Sequence, residues 1–139
     1  MLLCEPEIPD KYWVNCFTFM CRNCDTNFDI VFPNDNYIVK FEEVGGGEVK
    51  WLPSYGRGGY IELITKLIPE HTSDDEITMA KASTFIRELN KCCEKGTSGN
   101  GYDFCRTKFE CPNCNSRDLT TIEEKVLTNP KLSWLKISY

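Results

Sequence analysis

The chain has 139 residues, the size of one ordinary domain, and its content of 41% hydrophobic and 12% aromatic residues excludes a disordered protein. No apolar run approaches the length of a membrane-spanning helix. The net charge of −5 disfavours attraction to nucleic acid through the overall field and favours a basic partner.

The cysteine content indicates the compartment. The chain contains nine cysteines, a high and odd number, and its N-terminal stretch MLLCEPEIPDKYW has neither the basic flank nor the apolar core of a secretory signal. A secreted protein with this content would be expected to pair its cysteines in disulfides. We therefore predict a cytoplasmic protein with reduced thiols and a bound metal, and without a membrane association.

The first third of the chain predicts a series of strands. Residues 12–20 and 27–32 are rich in aromatic and β-branched side chains, and a turn at the first cysteine pair separates them. The turn-forming stretch PNDN precedes a third strand over residues 37–44. Three glycines then join this strand to residues 48–52, a pattern typical of a β-hairpin.

The centre of the chain predicts one long helix. Residues 60–68 are apolar and ambiguous between strand and helix, and we favour a strand at their start. A helix over about residues 74–95 follows, with Ser73 as its N-cap, Glu76 as the capping-box partner and Gly96 as its C-terminal stop. Its apolar arc contains Met79, Ala82, Phe85, Ile86, Leu89, Cys92 and Cys93.

The last part of the chain repeats the arrangement found near the start. Residues 102–110 predict a strand, the second cysteine pair forms a turn, and residues 117–125 predict the returning strand. Residues 132–139 predict either a last strand or a packed tail. A strand, a cysteine pair and a second strand therefore follow one another twice, once near each end of the chain.

The two cysteine pairs predict one metal site. They are Cys21 and Cys24 in the stretch CRNC, and Cys111 and Cys114 in CPNC. A tight turn with the spacing C-x-x-C points two sulfurs towards one position, and two such turns supply the four ligands of a structural zinc site. Iron is the alternative occupant. Free thiols are the alternative to a metal site, and a thioredoxin-like dithiol is disfavoured because it would begin a helix.

This pattern resembles the zinc ribbon and rubredoxin-like proteins, through the four cysteines and the strands around them. The resemblance implies a structural zinc bound by these cysteines, and it implies no particular activity. Two features differ from the family pattern. Between the pairs lie 86 residues, and Asp25 and Asn115 stand where a glycine is common.

Little in the sequence predicts catalysis. His71 is the one histidine and lies in a predicted turn, where a surface position is expected. Four cysteine ligands close the metal shell, whereas a catalytic zinc keeps an open position. We therefore predict that the protein is not an enzyme, with an enzyme of unrecognised site as an alternative. The cysteines outside the two pairs are Cys4, Cys16, Cys92, Cys93 and Cys105, and the two on the helix are predicted core thiols.

A protein-binding surface is predicted in the middle of the chain. Aromatic residues and arginine are enriched at interface hot spots, and acidic residues suit a basic partner. The predicted surface contains Glu42, Glu43, Glu48, Trp51, Tyr55 and Arg57. The alternatives are that the tryptophan belongs to the core and that the acidic residues belong to a solvated hairpin.

Together these patterns predict a single α+β domain over residues 1–139. Its antiparallel sheet carries one long amphipathic helix, and a zinc-ribbon-like four-cysteine site joins the chain ends. The zinc-knuckle hairpins comprise residues 12–32 and 102–125, and residues 33–101 form an inserted region of strands and helix.

The predicted function is that of a non-enzymatic, zinc-stabilised protein-binding module. An acidic inhibitor or immunity protein that neutralises a basic, nuclease-like toxin is one form of such a module. The alternative is a nucleic-acid-binding or transcription-associated zinc ribbon protein. Arg106, Lys108 and Arg117 near the second cysteine pair favour this alternative, and the net charge opposes it.

Overall fold

The chain divides into two compact units, as a computed structural model that describes residues 2–34, 36–71 and 76–138 shows. Unit 1 comprises Met1–Asp10, Asn36–Cys105 and Lys131–Tyr139. Unit 2 comprises Lys11–Asp35 and Arg106–Pro130. Each unit is therefore assembled from segments that are distant in the sequence.

Strands dominate the described residues. In chain order the strands are β1 Leu3–Cys4, β2 Trp13–Cys21, β3 Asn27–Pro33, β4 Ile38–Glu43, β5 Val49–Pro53, β6 Tyr102–Phe104, β7 Leu119–Thr128 and β8 Ile137–Ser138. The helices are α1 Tyr60–Leu67 and α2 Met79–Leu89. The strands pair antiparallel, so the fold is mostly β with two short helices. Within the described ranges, no helix has both the length and the apolar character needed to cross a bilayer.

Unit 2 is built on β2, which lies between β3 and β7. The strands predicted over residues 12–20, 27–32 and 117–125 are confirmed as β2, β3 and β7, with ends that differ by three residues at most. Aromatic rings from β2, β3 and the segment before the second cysteine pair contact one another: Phe17, Phe19, Phe28, Phe32 and Phe109. These contacts are edge to face, except for the tilted pair of Phe19 and Phe28, and they supply much of the apolar packing of this small unit.

The core of unit 1 combines the sheet of β5, β4 and β6 with both helices. The predicted strands over residues 37–44 and 48–52 are confirmed as β4 and β5. Phe104 of β6 stacks between Phe41 of β4, at 5.2 Å between ring centroids, and Phe85 of α2, at 5.8 Å. The sheet and the second helix therefore share one aromatic stack.

The predictions for the helices were wrong in two respects. In the range 60–68, Tyr60–Leu67 forms α1 and no strand, with Ile68 as its C-cap, because Leu63, Ile64 and Ile68 are buried together on one side. The predicted single long helix is limited to α2, Met79–Leu89. Its N-cap is Thr78, whose hydroxyl accepts the N–H of Lys81, and the predicted cap at position 73 lies outside the described residues.

Asn90 explains why α2 ends early. Its side-chain amide donates to the carbonyl groups of Ile86 and Tyr102, at 2.9 Å each, and its side-chain oxygen accepts the N–H of Tyr102 at 2.8 Å. These bonds tie the last turn of the helix to β6. The apolar positions that the sequence shows after residue 90 therefore pack on the core without helical geometry.

Only Tyr102–Phe104 of the strand predicted over residues 102–110 is a strand. These three residues pair with β4 in unit 1, and the division between the units follows Cys105. The residues from Arg106 onward belong to unit 2. The pairing with β4 therefore ends where the chain passes into unit 2.

The chain ends pair with each other in unit 1, where β1 lies antiparallel to β8. Trp134 forms an isolated bridge with Trp51, and Cys93 forms one with Ile137. The prediction that the four-cysteine site joins the chain ends was therefore wrong. Strand pairing within unit 1 joins them, while the four cysteines lie in unit 2.

Candidate metal centre

The two cysteine turns of unit 2 have the same backbone geometry. In the first turn the N–H of Asp25 donates to the carbonyl of Cys21 at 2.8 Å, and the N–H of Cys21 donates to the carbonyl of Thr26 at 2.9 Å. The second turn repeats both bonds at 2.8 and 2.9 Å, from the N–H of Asn115 to Cys111 and from the N–H of Cys111 to Ser116. The repeated stretch in the sequence is therefore a repeated structure.

The residue after each pair explains how the turns form without the glycine common in such knuckles. Asp25 has φ 60° and Asn115 has φ 63°, which places both in the left-handed region. Aspartate and asparagine tolerate this region better than other residues with a side chain. They therefore fulfil the conformational role that glycine has in the zinc ribbon pattern.

The two turns bring their four sulfur atoms together. The Sγ atoms of Cys21, Cys24, Cys111 and Cys114 all lie within 4.8 Å of one another. The distance between the sulfurs of Cys21 and Cys114 is 3.5 Å, and that between Cys24 and Cys111 is also 3.5 Å. Four sulfurs at about 2.3 Å from a tetrahedral zinc would be about 3.8 Å apart. The cluster therefore has the dimensions of a four-coordinate metal site.

The sulfurs differ in exposure and in acidity. Burial raises the pKa of the Cys21 thiol to about 11, because the thiolate loses its hydration. The hydroxyl of Thr26 and the amide of Asn113 lower the pKa of the Cys24 thiol to about 6. The amide of Asn23 lowers the pKa of Cys114. A cation at the centre would favour the thiolate form of all four.

The donor set fits a metal ion and restricts its type. Four thiolates are soft ligands that suit zinc and iron alike, and hard cations such as magnesium or calcium prefer oxygen. Four protein ligands also close a tetrahedral shell, which is typical of structural sites. The four cysteines could therefore hold one ion of this class with no open position for a substrate.

An asparagine precedes the second cysteine of each pair, and its role became visible only in the structure. The side-chain Nδ2 of Asn23 donates to the sulfur of Cys114 at 3.4 Å, and that of Asn113 donates to the sulfur of Cys24 at 3.5 Å. Each amide therefore crosses to the opposite turn. The signal in the sequence was the shared third letter of CRNC and CPNC.

The other cysteines lie outside this cluster. Cys16 is buried in β2 of unit 2, and Cys4 and Cys105 are half-buried in unit 1. Cys92 and Cys93 pack against the core of unit 1, as predicted, and burial raises the pKa of both thiols. All nine cysteines are free thiols, and the cluster of four is the only group of metal-binding side chains among the described residues.

The predicted binding residues separate into buried and exposed sets. Glu43 and Trp51 are buried, at 1% and 4% exposure, while Tyr55 and Arg57 are exposed. Glu42 is half-buried and accepts a weak hydrogen bond from the thiol of Cys105 at 3.6 Å. The exposed part of the predicted surface therefore centres on the loop that carries Tyr55 and Arg57.

Glu48 is also engaged within unit 1. Its carboxylate accepts the N–H of Thr97 at 2.9 Å and the hydroxyl of Tyr102 at 3.3 Å. His71, expected at the surface, is buried instead at 4% exposure. The Nζ of Lys81 lies 3.4 Å from its Nδ1, which gives the imidazole a polar contact inside the unit.

The exposed loop has an aromatic neighbour that the sequence did not reveal. Tyr37, directly before β4, lies edge to face with Tyr55 at 5.9 Å between ring centroids. The two rings are 52% and 58% exposed. Residue 37 is 18 positions away in the chain, so only the pairing of β4 with β5 brings the two tyrosines together.

No family model, no curated protein and no solved structure matches this chain. Its likeness to zinc ribbons therefore consists of the four cysteines and the geometry of their two turns.

Proposed function

We propose that this chain is a non-enzymatic protein-binding module, stabilised by one zinc ion, whose partner is a basic protein. The observation that carries this proposal is the exposed pair of Tyr37 and Tyr55, together with the exposed Arg57 on the loop that carries Tyr55 in unit 1. Tyrosine and arginine are the residue types that most often dominate binding energy in interfaces. An acidic inhibitor or immunity protein that covers a basic, nuclease-like toxin is the specific form that we propose.

Backbone hydrogen bonds support the loop on both sides. The N–H of Ser54 donates to the carbonyl of Tyr37 at 2.7 Å, and the N–H of Gly59 donates to that of Gly56 at 3.1 Å. Gly56 and Gly58 have φ 86° and 74°, which a residue with a side chain rarely adopts. A loop that is already ordered loses little conformational entropy when a partner binds, and this supports a recognition role.

Acidic side chains next to this loop support a basic partner. The N–H of Glu7 donates to the carbonyl of Arg57 at 2.8 Å, and its side chain lies beside Gly56. Glu62 in α1 accepts the N–H of Gly58 at 3.4 Å. Unit 1 as a whole contains fourteen acidic and ten basic residues, a balance of −4. A lysine or arginine of the partner could therefore stack on the tyrosine rings with carboxylates nearby.

The alternative, a nucleic-acid-binding zinc ribbon protein, is favoured by one observation in unit 2. Phe109 is 46% exposed and stands one residue after Lys108, and exposed aromatic and basic side chains together suit single-stranded nucleic acid. The charge of unit 2 opposes nucleic-acid binding. Arg117 lies 3.8 Å from Glu110, and Arg22 lies 3.8 Å from Asp118, so these two cations have carboxylate neighbours.

A pull-down with matched variants tests the proposal. The full chain is immobilised and exposed to a lysate of its source cells at low and moderate salt, and the retained proteins are identified by mass spectrometry. A basic protein should bind to the wild type, and the Tyr55→Ala variant should weaken its affinity about 30-fold, the size of an interface hot spot. The control is Phe109→Ala in unit 2, which should leave this binding unchanged.

Two outcomes would contradict the proposal. If no protein is retained at any salt concentration, the chain is not a protein-binding module. If instead nucleic acid is retained, with an affinity that falls steeply as salt rises and that Phe109→Ala abolishes, the zinc ribbon alternative is correct.

A further inference from the structure

The half-buried sulfurs of the metal centre are each covered by an amide from the opposite turn. Cys21 and Cys111 are fully buried, whereas Cys24 and Cys114 are partly exposed. These two exposed sulfurs are the ones that accept the crossing amides, Cys114 from Asn23 and Cys24 from the Asn113 side chain. The arrangement is reciprocal. It places an amide donor at Cys24 and at Cys114, the two positions where water could reach a metal-bound thiolate.

Charge explains why such donors matter. Four thiolates on a divalent ion carry a formal charge of −2, and unit 2 contributes seven acidic and six basic residues, which adds no net compensation. The hydrogen-bonding partners of these sulfurs are neutral groups. They include the two asparagine side chains, the Asn113 backbone N–H and the Thr26 hydroxyl. Further backbone N–H groups of the two turns contact Cys21, Cys24 and Cys114. Hydrogen bonds to an anionic acceptor are stronger than those between neutral groups.

The arginine of the first turn has other contacts. The Nε of Arg22 donates to the Thr120 hydroxyl at 2.6 Å and lies 3.8 Å from the Asp118 carboxylate. Its charge is thus shared with a carboxylate on the exposed side of the turn. The asparagine amides therefore stabilise the half-buried thiolates together with the Thr26 hydroxyl and backbone N–H groups, and they are the side-chain donors that come from the opposite turn.

We propose that Asn23 and Asn113 are positioning residues of the metal centre: each holds the exposed thiolate of the opposite turn, shields it from water and slows the loss of the ion. This inference rests on the metal-binding part of the proposed function. Partners in the second coordination shell generally contribute about 10- to 100-fold to metal affinity. Because the two asparagines serve different sulfurs, their effects should add.

The first experiment measures zinc retention. The full-length wild type and the variants Asn23→Ala, Asn113→Ala and the double variant are loaded with zinc and challenged with a chromogenic chelator. Each single variant should bind zinc about 10-fold more weakly, and the double variant up to about 100-fold. Asn23→Asp has the same size but replaces a donor with an anion, and it should lose zinc faster than Asn23→Ala. The control is Asn27→Ala, an exposed asparagine of the same unit.

The second experiment uses cobalt as a spectroscopic probe. The charge-transfer band of a Co²⁺ form originates in the sulfur lone pairs, which hydrogen bonds stabilise. Loss of an amide donor should therefore shift this band to lower energy in the two asparagine variants and not in Asn27→Ala. A change that only loosened the fold would reduce the amount of bound cobalt without shifting the band. The spectrum thus separates positioning from general stability.

The outcomes have distinct meanings. Wild-type zinc affinity and an unshifted cobalt band in both single variants would overturn the role of the asparagines while leaving the four-cysteine site intact. A wild-type chain that takes up neither zinc nor cobalt would overturn the metal-binding part of the proposed function, and the role of the asparagines with it.

Discussion

Glu43 is the residue whose removal should disturb unit 1 most clearly. Its side chain is 1% exposed, and its carboxylate accepts three backbone N–H groups: from Glu48 at 3.2 Å, from Ser98 at 3.0 Å and from Asn100 at 3.1 Å. It therefore fixes two loops, the glycine turn after β4 and the turn over residues 96–100. We expect Glu43→Ala to release both loops.

The magnitude follows from these contacts. A hydrogen bond to a carboxylate contributes about 1.5–3 kcal/mol. Glu43→Ala removes the acceptor of three backbone N–H groups, but those of the exposed residues Ser98 and Asn100 can turn to water, so we expect a loss of about 2–3 kcal/mol in the free energy of unfolding. Glu43→Gln keeps one acceptor oxygen and places an amide at the other, so we expect a smaller loss of about 1–1.5 kcal/mol.

The assay combines global and local measurements. Urea unfolding of the metal-loaded chain gives the change in free energy, and hydrogen exchange reports protection of the Ser98 and Asn100 amides. Both amides should exchange faster in the Glu43 variants. The matched control is Glu42→Gln in the same strand, because that half-buried carboxylate accepts a hydrogen bond from the weakly donating Cys105 thiol. The loss in the free energy of unfolding for Glu42→Gln should stay below about 1 kcal/mol.

Two results would refute this reasoning. A Glu43→Ala variant whose free energy of unfolding lies within about 0.5 kcal/mol of the wild type would show that the three bonds contribute nothing net. Equal losses in Glu43→Gln and Glu42→Gln would show that the effect is general to this strand and does not depend on the buried contacts.

The metal site and two backbone positions give further tests. Elemental analysis should find about one zinc per chain, and Cys111→Ser should lose it; full retention would contradict the four-cysteine assignment. Thr78→Ala removes the N-cap of α2 and should cost about 1 kcal/mol in urea unfolding, and no loss would mean that the cap is dispensable. A Cβ on Gly96 would overlap the Glu43 carboxyl, whereas a Cβ on Gly99 would meet no atom within 4 Å and would cost only the strain of its left-handed backbone, φ 79°. Gly96→Ala should therefore lower the melting temperature more than Gly99→Ala, and the opposite order would contradict the packing.

Periodicity and cysteine spacing predicted the parts of the fold that depend on local sequence. The strands around the first cysteine pair and the hairpin of β4 and β5 were predicted from β-like runs separated by turn residues, and they were found in place. The closeness of the four sulfurs also followed from spacing, because each turn determines the direction of its own two cysteines.

The parts that failed depend on contacts between distant residues. The end of α2 is set by bonds between Asn90 and β6, and the short β6 is set by the division between the two units. The burial of Glu43 follows from donors more than fifty positions away in the chain. Contacts of this kind do not produce a periodic pattern in the sequence. The sequence therefore suggests that an acidic hairpin residue such as Glu43 is exposed to solvent, whereas the structure shows it buried.

The size of unit 2 gives a bound metal a physical role. It contains 50 residues in two segments, and a unit of this size buries little apolar surface for a stable core. A closed zinc site would supply the missing free energy, since binding to a site that exists only in the folded state stabilises that state. The 86 residues between the pairs are no obstacle. The entropy cost of closing a loop rises by only about 0.6 kcal/mol for each doubling of its length, so a segment as large as most of unit 1 can lie between two halves of one site.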